Sequence, residues 1–527
     1  MSSSPPPEMH WSRWGDPAQA APLTESAFAL VDAFIGTSDT PAVDPADVTL
    51  SAPLAADLLS GLADLVGSEH VLIDHETRLH RTRGKSTPDL LRLRGGDGSD
   101  SPDAVVRPAD HDEVAAVIDW CVAHQVALVP FGGGTSVVGG LVARREGYAG
   151  VVSLDLVRLD QLLAVDLDSM TATLEPGLRG PQAEALLAEH GLTLGHFPQS
   201  FEYASIGGFT VTRSSGQSSA GYGRFDSLVV GLRVATPRGE LVLGSSPANA
   251  AGPDLREVIM GSEGAFGVVT AVTVRVRRVP DVRVYETWRW GCFADGAAAM
   301  RSLAQAGVLP TVLRLSDEAE TAINLARPAE VGGGSASSGG CLMVTGYEGT
   351  REALDARRAA CSTLLSGLGG TSLGEDTGWA AGRFHGPYLR DSMLDVGVLV
   401  ETLETVTFWS RLEQVYDAVR AALVDSLGEG TLVLCHISHV YETGASLYFT
   451  VAAKQGRDPV AQWRSAKAAA SDAMIDNGAS ITHHHAVGQD HKPWLAREIG
   501  PVGVRMLRAL KAELDPVGVL NPGVLVP

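Results

Sequence analysis

Cysteine is scarce in this sequence. Its five cysteines are widely spaced and form no C-x-x-C pair, so neither a disulfide framework nor a cysteine-based zinc site is indicated. This usage favours a reducing compartment. Long apolar runs are also missing: no stretch approaches roughly eighteen consecutive apolar residues, and the first residues lack the basic and apolar pattern of a secretion signal. We therefore expect a cytoplasmic protein.

Positive charge is in deficit. The chain has 41 lysines and arginines against 62 aspartates and glutamates, a formal net charge of −21. Proteins that bind nucleic acids present a basic surface, so we expect no nucleic-acid partner, and a basic membrane-binding face is disfavoured for the same reason. An anionic substrate would need cations gathered locally in its site.

At 527 residues, the chain is too long for one hydrophobic core. Changes in composition predict four parts: an N-terminal helical segment with a linker (1–100), a first domain (101–280), a second domain (281–450) and a C-terminal segment (451–527). The Gly/Ser-rich run 332–340 predicts a surface loop in the second domain.

The first domain opens on a strand–helix–strand pattern. From Ala104 a short strand precedes a helix that Asp110 or Asp112 can cap, and an apolar strand then ends in a glycine turn. Further short strands follow between glycine and proline turns, with one helix from Gly180 to His190 among them. This pattern predicts an α+β fold.

Three stretches of this domain are rich in glycine: PFGGGTS (130–136), SIGGF with the following TRSSG (205–216), and GSEGAFG (261–267). Glycines let backbone N–H groups approach a phosphate closely, and small hydroxyls can donate to a ligand without blocking it. The first stretch is not a Rossmann fingerprint, because Val137 stands where the third glycine belongs, and no Walker lysine follows it. Each stretch alone fits an ordinary turn, but three of them could line one long ligand.

Together these stretches resemble the vanillyl-alcohol-oxidase-type FAD proteins, and LDPVGVLNPG near the C terminus resembles that family's terminal signature. The resemblance implies a two-part PCMH-type FAD-binding domain plus an α/β substrate (cap) domain, with the C-terminal segment completing the site. No histidine lies in the first glycine turn, so we expect noncovalent FAD. The implied cofactor-binding residues are Pro130, Phe131, Gly132, Gly133, Gly134, Thr135, Ser136, Gln199, Ser200, Ala204, Ser205, Gly207, Gly208, Thr212, Arg213, Ser214, Ser215, Glu263, Gly264, Ala265, Phe266, Gly267, Val268 and Val269.

Scattered stretches over most of the chain resemble one branch, the alkyldihydroxyacetonephosphate synthase family. They are Trp11 to Trp14, LGHFPQS (194–200), VLRLSD (312–317), YLRD (388–391), GASLYF (444–449) and ITHHHAVG (481–488). That family replaces the acyl chain of acyl-dihydroxyacetone phosphate by a fatty alcohol, which makes an ether lipid without net redox. The resemblance implies a phosphorylated ketone and a fatty alcohol as substrates, and we expect peripheral membrane contact and a homodimer.

The resemblance also implies site residues. Tyr448 matches the proton donor and acceptor of the family, Arg390 its phosphate-binding arginine, and Arg314 an arginine important for activity. A guanidinium fork suits a phosphate, although most arginines make ordinary ion pairs, and a tyrosine in an alternating strand is usually part of a core. Histidines complete the site: a catalytic triplet that shares protons with Tyr448 (His483, His484, His485) and a substrate contact (His196).

Other chemistries also fit parts of the sequence. His483 and His485 share one face of an extended chain and could bind zinc with His436 or His439, but no H-E-x-x-H supports this and we expect no metal. The stretch GTSLG (370–374) matches the G-x-S-x-G of hydrolases, but it follows a helix instead of a strand.

Two readings keep the FAD domain but change the function. In one, a dehydrogenase or oxidase of a 2-hydroxy acid or related alcohol uses the same arginines and histidines to hold a carboxylate. In the other, a non-catalytic flavin- or lipid-binding protein would tolerate the loss of Tyr448 and His485.

Overall fold

A computed structural model describes residues 8–20, 22–142, 144–323, 339–376 and 378–527. The predicted surface loop lies mostly outside the described residues, at 332–338. No helix within the described ranges is long and apolar enough to cross a membrane.

The N-terminal part is mainly helical. Its helices are α1 (Glu25–Phe34), α2 (Ala56–Val66), α3 (His75–His80) and α4 (Thr87–Arg94), and its short strands are β1 (Thr49–Leu50), β2 (Val71–Leu72) and β3 (Asp97–Gly98). Thr24 caps α1 by accepting a hydrogen bond from the backbone N–H of Ala27. Ala27 is the one fully buried residue of α1, so this helix lies on the surface of the protein.

The first domain begins with β4 (Ala104–Val106), α5 (His111–His124), β5 (Val126–Phe131) and β6 (Gly150–Asp155). Asp110 caps α5 by accepting from the Glu113 N–H at 2.9 Å. The predicted strand–helix–strand unit is confirmed, but β4 and β5 are not neighbours, because β6 inserts between them and runs parallel to both in the sheet β2-β4-β6-β5.

The rest of this domain is built on a five-stranded antiparallel sheet in the order β11-β10-β12-β8-β7, and β9 pairs with β13 beside it. Its strands are β7 (Leu162–Asp166), β8 (Thr171–Leu174), β9 (Leu192–Thr193), β10 (Val229–Thr236), β11 (Gly239–Leu243), β12 (Val268–Arg275) and β13 (Arg277–Arg278). Its helices are α6 (Gly180–Ala188), α7 (Ile206–Val211), α8 (Ser219–Tyr222), α9 (Phe225–Leu228) and α10 (Arg256–Ile259). The expected α+β class is confirmed.

The second domain is built on a seven-stranded sheet in the order β17-β14-β16-β15-β19-β20-β18, in which every pair is antiparallel. Its strands are β14 (Val282–Trp290), β15 (Val312–Ser316), β16 (Cys341–Gly349), β17 (Thr371–Glu375), β18 (Val398–Phe408), β19 (Leu432–Ile437) and β20 (Gly444–Lys454). Its helices are α11 (Phe293–Gln305), α12 (Glu318–Ala322), α13 (Arg351–Gly367), α14 (Gly378–Gly382), α15 (Gly386–Asp395) and α16 (Leu412–Leu427).

The C-terminal segment consists of α17 (Pro459–Asp476), the stretch that carries the three histidines, and α18 (Lys492–Leu514). The chain then returns to the first domain, where Leu520 bridges Leu128 of β5. The Asn521 side chain donates to the carbonyl of Gly140 at 3.1 Å and to that of Glu263 at 2.6 Å. The last residues therefore connect the third glycine-rich stretch to the segments on either side of the first one.

Candidate active site

A cavity of about 1030 Å³ lies between the glycine-rich stretches and the sheet of the second domain. Of the predicted cofactor-binding residues, all line this cavity except Arg213, Ala265 and Phe266. Ala265 and Phe266 are buried in the core of the first domain. Arg213 forms ion pairs with Asp226 and Glu257 instead.

The glycines of the first stretch are required by close contact. A Cβ on Gly132 would lie 2.3 Å from the Ser205 hydroxyl oxygen, and one on Gly133 would lie 2.3 Å from the Tyr203 carbonyl oxygen. Only glycine lets the first and second stretches approach this closely. The cavity wall that they form consists of backbone and small hydroxyl side chains, which suits a phosphate-bearing ligand.

Tyr448 lies where this cavity meets the second domain. It stands on β20 opposite His436 of β19 and Glu404 of β18. Its ring stacks on His436 with the centroids 4.7 Å apart, and the ring centroids of His484 and His485 lie 6.1 and 5.5 Å away. Burial raises the pKa of Tyr448 to about 12, so the phenol is protonated at neutral pH.

Glu404, whose side chain is fully buried, forms hydrogen bonds to the backbone of the histidine triplet. Its Oε2 accepts from the backbone N–H of His483 at 2.6 Å, and its Oε1 accepts from the N–H groups of His484 and His485 at 3.1 and 2.9 Å. The Thr482 hydroxyl also donates to Oε1, at 2.6 Å. One carboxylate from β18 therefore sets the path of the whole triplet.

The three imidazoles do not face the same way. His484 and His485 line the cavity, whereas His483 does not. The Nε2 atom of His483 instead forms a hydrogen bond with the Tyr441 hydroxyl, at 2.5 Å. Burial lowers the pKa of all three, that of His485 to about 3, although Glu404 opposes the shift. The site thus combines a protonated phenol with neutral imidazoles, a donor and acceptors for one proton.

The histidine cluster of the metal alternative keeps His439 and His483 but contains His484 in place of His485. The nitrogens of His439, His483 and His484 lie within 4.8 Å of one another. The Nδ1 atoms of His483 and His484 are 2.9 Å apart, and His439 Nδ1 lies 3.0 Å from the Ser215 hydroxyl oxygen. One hydrogen bond thus joins His483 to His484, and His439 bonds to Ser215 while its ring stacks on that of His483.

Arg314 reaches the cavity from β15 and belongs to a buried ionic group. Its Nη2 lies 2.5 Å from Glu320 Oε1 and 3.0 Å from His436 Nδ1, and the second oxygen of Glu320 lies 3.0 Å from the same His436 nitrogen. Because His436 stacks on Tyr448, Arg314 and Glu320 position the ring behind the phenol. Arg314 Nε is buried and has no partner in the described part of the chain.

Arg390 lies on α15 and also lines the cavity. Its Nη1 donates to the Lys85 carbonyl at 2.6 Å, and its Nη2 lies 3.1 Å from Asp391 Oδ1. Asp391 in turn accepts from the Trp14 N–H at 2.5 Å. This ties the N-terminal segment to α15, and it explains why both the Trp11–Trp14 and YLRD stretches belong to the same site.

His196 is not brought to the cavity. It is almost fully buried, its ring centroid lies 4.8 Å from that of Phe209 and 5.0 Å from that of Phe225, and its Nε2 lies 3.1 Å from the Ser214 hydroxyl oxygen. Its position supports the stretch that carries Ser214 instead of contacting a substrate. Ser372 of the hydrolase-like stretch lies on the exposed edge strand β17, outside any strand-to-helix turn.

The cavity extends beyond Tyr448 as an apolar channel. Along one face of the neighbouring strands β18, β20 and β19, residues directly opposite one another form rows, here called rungs. Three successive rungs face the cavity: Glu404, Tyr448 and His436; Thr402, Thr450 and Leu434; and Val400, Ala452 and Leu432. All residues of the second and third rungs line the cavity. The first and third rungs lie about 13 Å apart, at roughly 3.3 Å per residue. Helix α1 covers the apolar end with Ala27, Leu30, Val31 and Phe34, which share one face of the helix.

The sequence did not predict this channel, nor two further side chains that line the cavity. The channel is formed by residues from strands and a helix that are distant in sequence, so no local motif signals it. Arg383 and Gln217 line the cavity as well. Gln217 directly follows the TRSSG stretch, which could have suggested it, whereas nothing near Arg383 distinguishes that arginine from the others.

Two family models match the chain: "FAD binding domain" over residues 102–244 and "FAD linked oxidases, C-terminal domain" over residues 279–525. The boundary between the matches falls where the sheet of the second domain begins. The protein is therefore an enzyme of the FAD-linked class, with FAD as its cofactor, and the predicted combination of a PCMH-type FAD-binding domain and a second domain is confirmed.

Relatives narrow the class. A protein of Dictyostelium discoideum named alkyldihydroxyacetonephosphate synthase is 32% identical over 478 residues, which cover 86% of this chain and 78% of the relative. The protein of that name from Trypanosoma brucei brucei is 32% identical over 88% of this chain and 80% of its own. A solved structure of an alkyldihydroxyacetonephosphate synthase superimposes with a TM-score of 0.83 at 28% identity, covering 98% of this chain and 99% of that one.

The chain belongs to the alkyldihydroxyacetonephosphate synthase-like family of FAD-linked enzymes, so the resemblance seen in the sequence is confirmed. The residues present fit the cofactor: the glycine-rich stretches form one continuous wall, and their small hydroxyls face the same cavity. The residues that would hold FAD are those of the three stretches that line it, together with Gln199 and Ser200.

Proposed function

We propose that this protein replaces the acyl chain of acyl-dihydroxyacetone phosphate by a fatty alcohol, without net redox. The observation that carries the proposal is the channel that leads from Tyr448 to the apolar rung of Val400, Ala452 and Leu432 under α1. A small 2-hydroxy acid would leave this apolar surface uncovered, whereas a long acyl or alkyl chain would bury it, at roughly 0.8 kcal/mol per methylene.

The polar end of the channel suits the headgroup of the same substrate. Arginines, a phenol and four imidazoles line it, on a chain that is strongly acidic as a whole. FAD, when bound, supplies an electron-accepting ring beside these residues. Cations there hold the phosphate and orient the ketone, and the apolar rungs keep water from the acyl end.

The protonation states define the roles at the reacting carbon. His484 and His485 are neutral, because burial lowers their pKa, and each can take the proton that leaves the carbon next to the ketone. Tyr448 is protonated and can return a proton to a departing oxygen. Arg314, through His436, keeps the phenol ring at the correct place in the channel.

The experiment is to incubate the FAD-loaded protein with acyl-dihydroxyacetone phosphate and hexadecanol and to measure released fatty acid and ether product. Equal amounts of both, with the flavin absorbance unchanged under anaerobic conditions, support the exchange. Bleaching of the flavin by D-lactate, with no ether product, would show a dehydrogenase instead. Ser372→Ala is the control, because this exposed residue lies outside the cavity, and loss of activity in it would favour a hydrolase.

We propose further that FAD is bound noncovalently and that the channel mouth contacts a lipid surface. The glycine-rich stretches bring no histidine to the cavity wall. Phe34 of α1 lines the channel and is 75% exposed, and Phe28 of the same helix is 41% exposed. Acid precipitation should release all the flavin into the supernatant. Flotation with neutral phosphatidylcholine vesicles should carry the protein upwards, and a Phe28→Ser, Phe34→Ser variant should remain at the bottom.

A further inference from the structure

Three hydrogen-bonded side chains lead from the cavity to the turn between β19 and β20. His484 lines the cavity, and its Nδ1 lies 2.9 Å from Nδ1 of His483. On the other side of the His483 ring, Nε2 lies 2.5 Å from the hydroxyl oxygen of Tyr441. Tyr441 itself does not line the cavity, so any influence it has on a ligand passes through the two imidazoles.

Backbone hydrogen bonds hold both ends of the contact between Tyr441 and His483. The N–H of Tyr441 donates to the Gly444 carbonyl at 2.8 Å, and its carbonyl accepts from the Trp409 indole N–H at 3.1 Å. The carbonyl of His483 accepts from Arg224 Nη1 at 3.2 Å. The hydrogen bond between the phenol and the imidazole therefore joins two positions that are each held independently.

This hydrogen bond has one preferred direction. Burial raises the pKa of Tyr441 to about 12 and lowers the pKa of His483 well below its usual range, so the phenol is protonated and the imidazole is neutral. The phenol is the stronger acid of the two groups and the imidazole nitrogen is the stronger base, so the hydroxyl donates to Nε2. A neutral imidazole carries a single N–H group, which in His483 must then be at Nδ1.

The N–H group of His483 donates to Nδ1 of His484. Because burial lowers the pKa of His484 and keeps it neutral, its own proton must be on Nε2. The Glu404 carboxylate alone would favour the other tautomer, but its Oε2 lies 3.7 Å from Nδ1 of His484, beyond hydrogen-bonding distance, whereas the His483 nitrogen is at 2.9 Å. His484 therefore offers an N–H group, and not a lone pair, to a ligand in the cavity.

His485 presents the opposite group. Its Nδ1 lies 3.9 Å from Oε1 of Glu404, and the negative charge favours the proton on the nitrogen that faces it. The N–H group of His483 is already bonded to His484 and does not oppose this preference. Nε2 of His485 therefore keeps its lone pair. Since both residues line the cavity, one neighbour can donate a hydrogen bond there and the other can accept a proton.

We propose that Tyr441 is a positioning residue that fixes the tautomer of His484 through His483. In this arrangement His484 donates a hydrogen bond to the substrate and His485 accepts a proton from it. The chemical roles rest on the proposed function. When Nε2 of His485 takes the proton from the carbon next to the ketone, the electron pair of the broken C–H bond moves towards the ketone oxygen, and the N–H group of His484 stabilises the negative charge that develops there.

The first measurement needs no substrate. In FAD-loaded protein labelled with nitrogen-15 in its histidines, the NMR signals of His484, identified by their loss in His484→Gln, should show the proton on Nε2. Tyr441→Phe removes the hydroxyl and keeps the ring, so the tautomer ratio should shift roughly 10-fold towards Nδ1–H, the effect of one lost hydrogen bond. Tyr148→Phe is the matched control: it removes a hydroxyl that donates to the Gly518 carbonyl at 2.7 Å, and it should leave the ratio unchanged.

Turnover is the second measurement. Tyr441→Phe should lower kcat roughly 10-fold with little change in KM, because the tautomer affects the reacting charge more than it affects binding. An amide N–H can replace an imidazole donor, but an amide cannot act as a base. His484→Gln should therefore keep more turnover than either His484→Leu or His485→Gln.

Two results would overturn the proposal: an unchanged tautomer of His484 in Tyr441→Phe, or more turnover in His485→Gln than in His484→Gln. Flavin content and melting temperature show whether each variant is folded, and the two histidine positions keep the test decisive if Tyr441→Phe is not. The NMR result also separates this proposal from the proposed function. If the wild type forms no ether product but loses the Nε2 tautomer in Tyr441→Phe, the alkyl exchange is wrong and the role of Tyr441 stands.

Discussion

Replacing Glu404 by glutamine tests whether one buried carboxylate organises the histidine triplet. The substitution keeps the size of the side chain and one oxygen. If that oxygen takes the place of Oε1, it still accepts from Thr482, His484 and His485. The new NH₂ group then faces the backbone N–H of His483, which lies 2.6 Å from the second oxygen in the native protein. Two donors then point at each other.

The magnitude follows from that count. One charge-assisted hydrogen bond is lost and one buried N–H is left unpaired, which together cost about 2–4 kcal/mol of unfolding free energy. The dependence on pH has a defined sign. Burial alone raises the pKa of Glu404, but the surrounding histidines and Thr482 lower it well below the usual range. The ionised group therefore contributes stability above about pH 4.3, the ordinary carboxyl value, and this contribution is lost as the pH falls from there through the folded pKa.

The assay is chemical denaturation of the FAD-loaded wild type and of Glu404→Gln between pH 7 and pH 3.5, with turnover measured in parallel. The gap in stability should be largest at neutral pH and should narrow in acid. Turnover should fall even at temperatures where the variant is folded, because His484 and His485 move. Exposed Glu442→Gln should match the wild type. Wild-type stability and turnover in Glu404→Gln would refute the reasoning.

Three further outcomes are expected. Tyr448→Phe should keep bound FAD but lose roughly 100-fold or more in turnover, the usual scale for general acid–base catalysis, and unimpaired turnover would remove the assignment. Burial lowers the pKa of His485 to about 3. Between this pH and about 6.5, the imidazole is protonated in the unfolded chain but neutral in the folded one, so the free energy of unfolding should fall as the pH drops through this range. His485→Gln should flatten this part of the denaturation profile, and parallel profiles would contradict the buried neutral imidazole. Ala452→Phe should fill the apolar rung and lower turnover with hexadecanol relative to butanol by roughly 10-fold or more, measured as a ratio of kcat/KM, whereas an unchanged ratio would place the chain elsewhere.

The FAD wall could be predicted from the sequence because its chemistry is local. Backbone N–H groups and small hydroxyls within each glycine-rich stretch are set by a few consecutive residues, so the stretches reveal their function wherever they fold. The strand–helix–strand unit was predictable for the same reason, since capping and hydrophobic periodicity act over short distances. That β6 inserts between β4 and β5 was not, because pairing of distant strands leaves no local mark.

The tertiary structure alone decided which side chains meet. Glu404 holds backbone groups about eighty positions away along the chain, and α1 covers strands of the second domain that the sequence places far from it. His196 and His483 lie in motifs that resemble those of a known family, yet packing directs their rings into contacts behind the cavity wall. Charge was decided in the same way: Arg314 looks like any other arginine in the sequence, and only the fold places His436, 122 residues away, beside its guanidinium, because electrostatic interactions depend on distance in space.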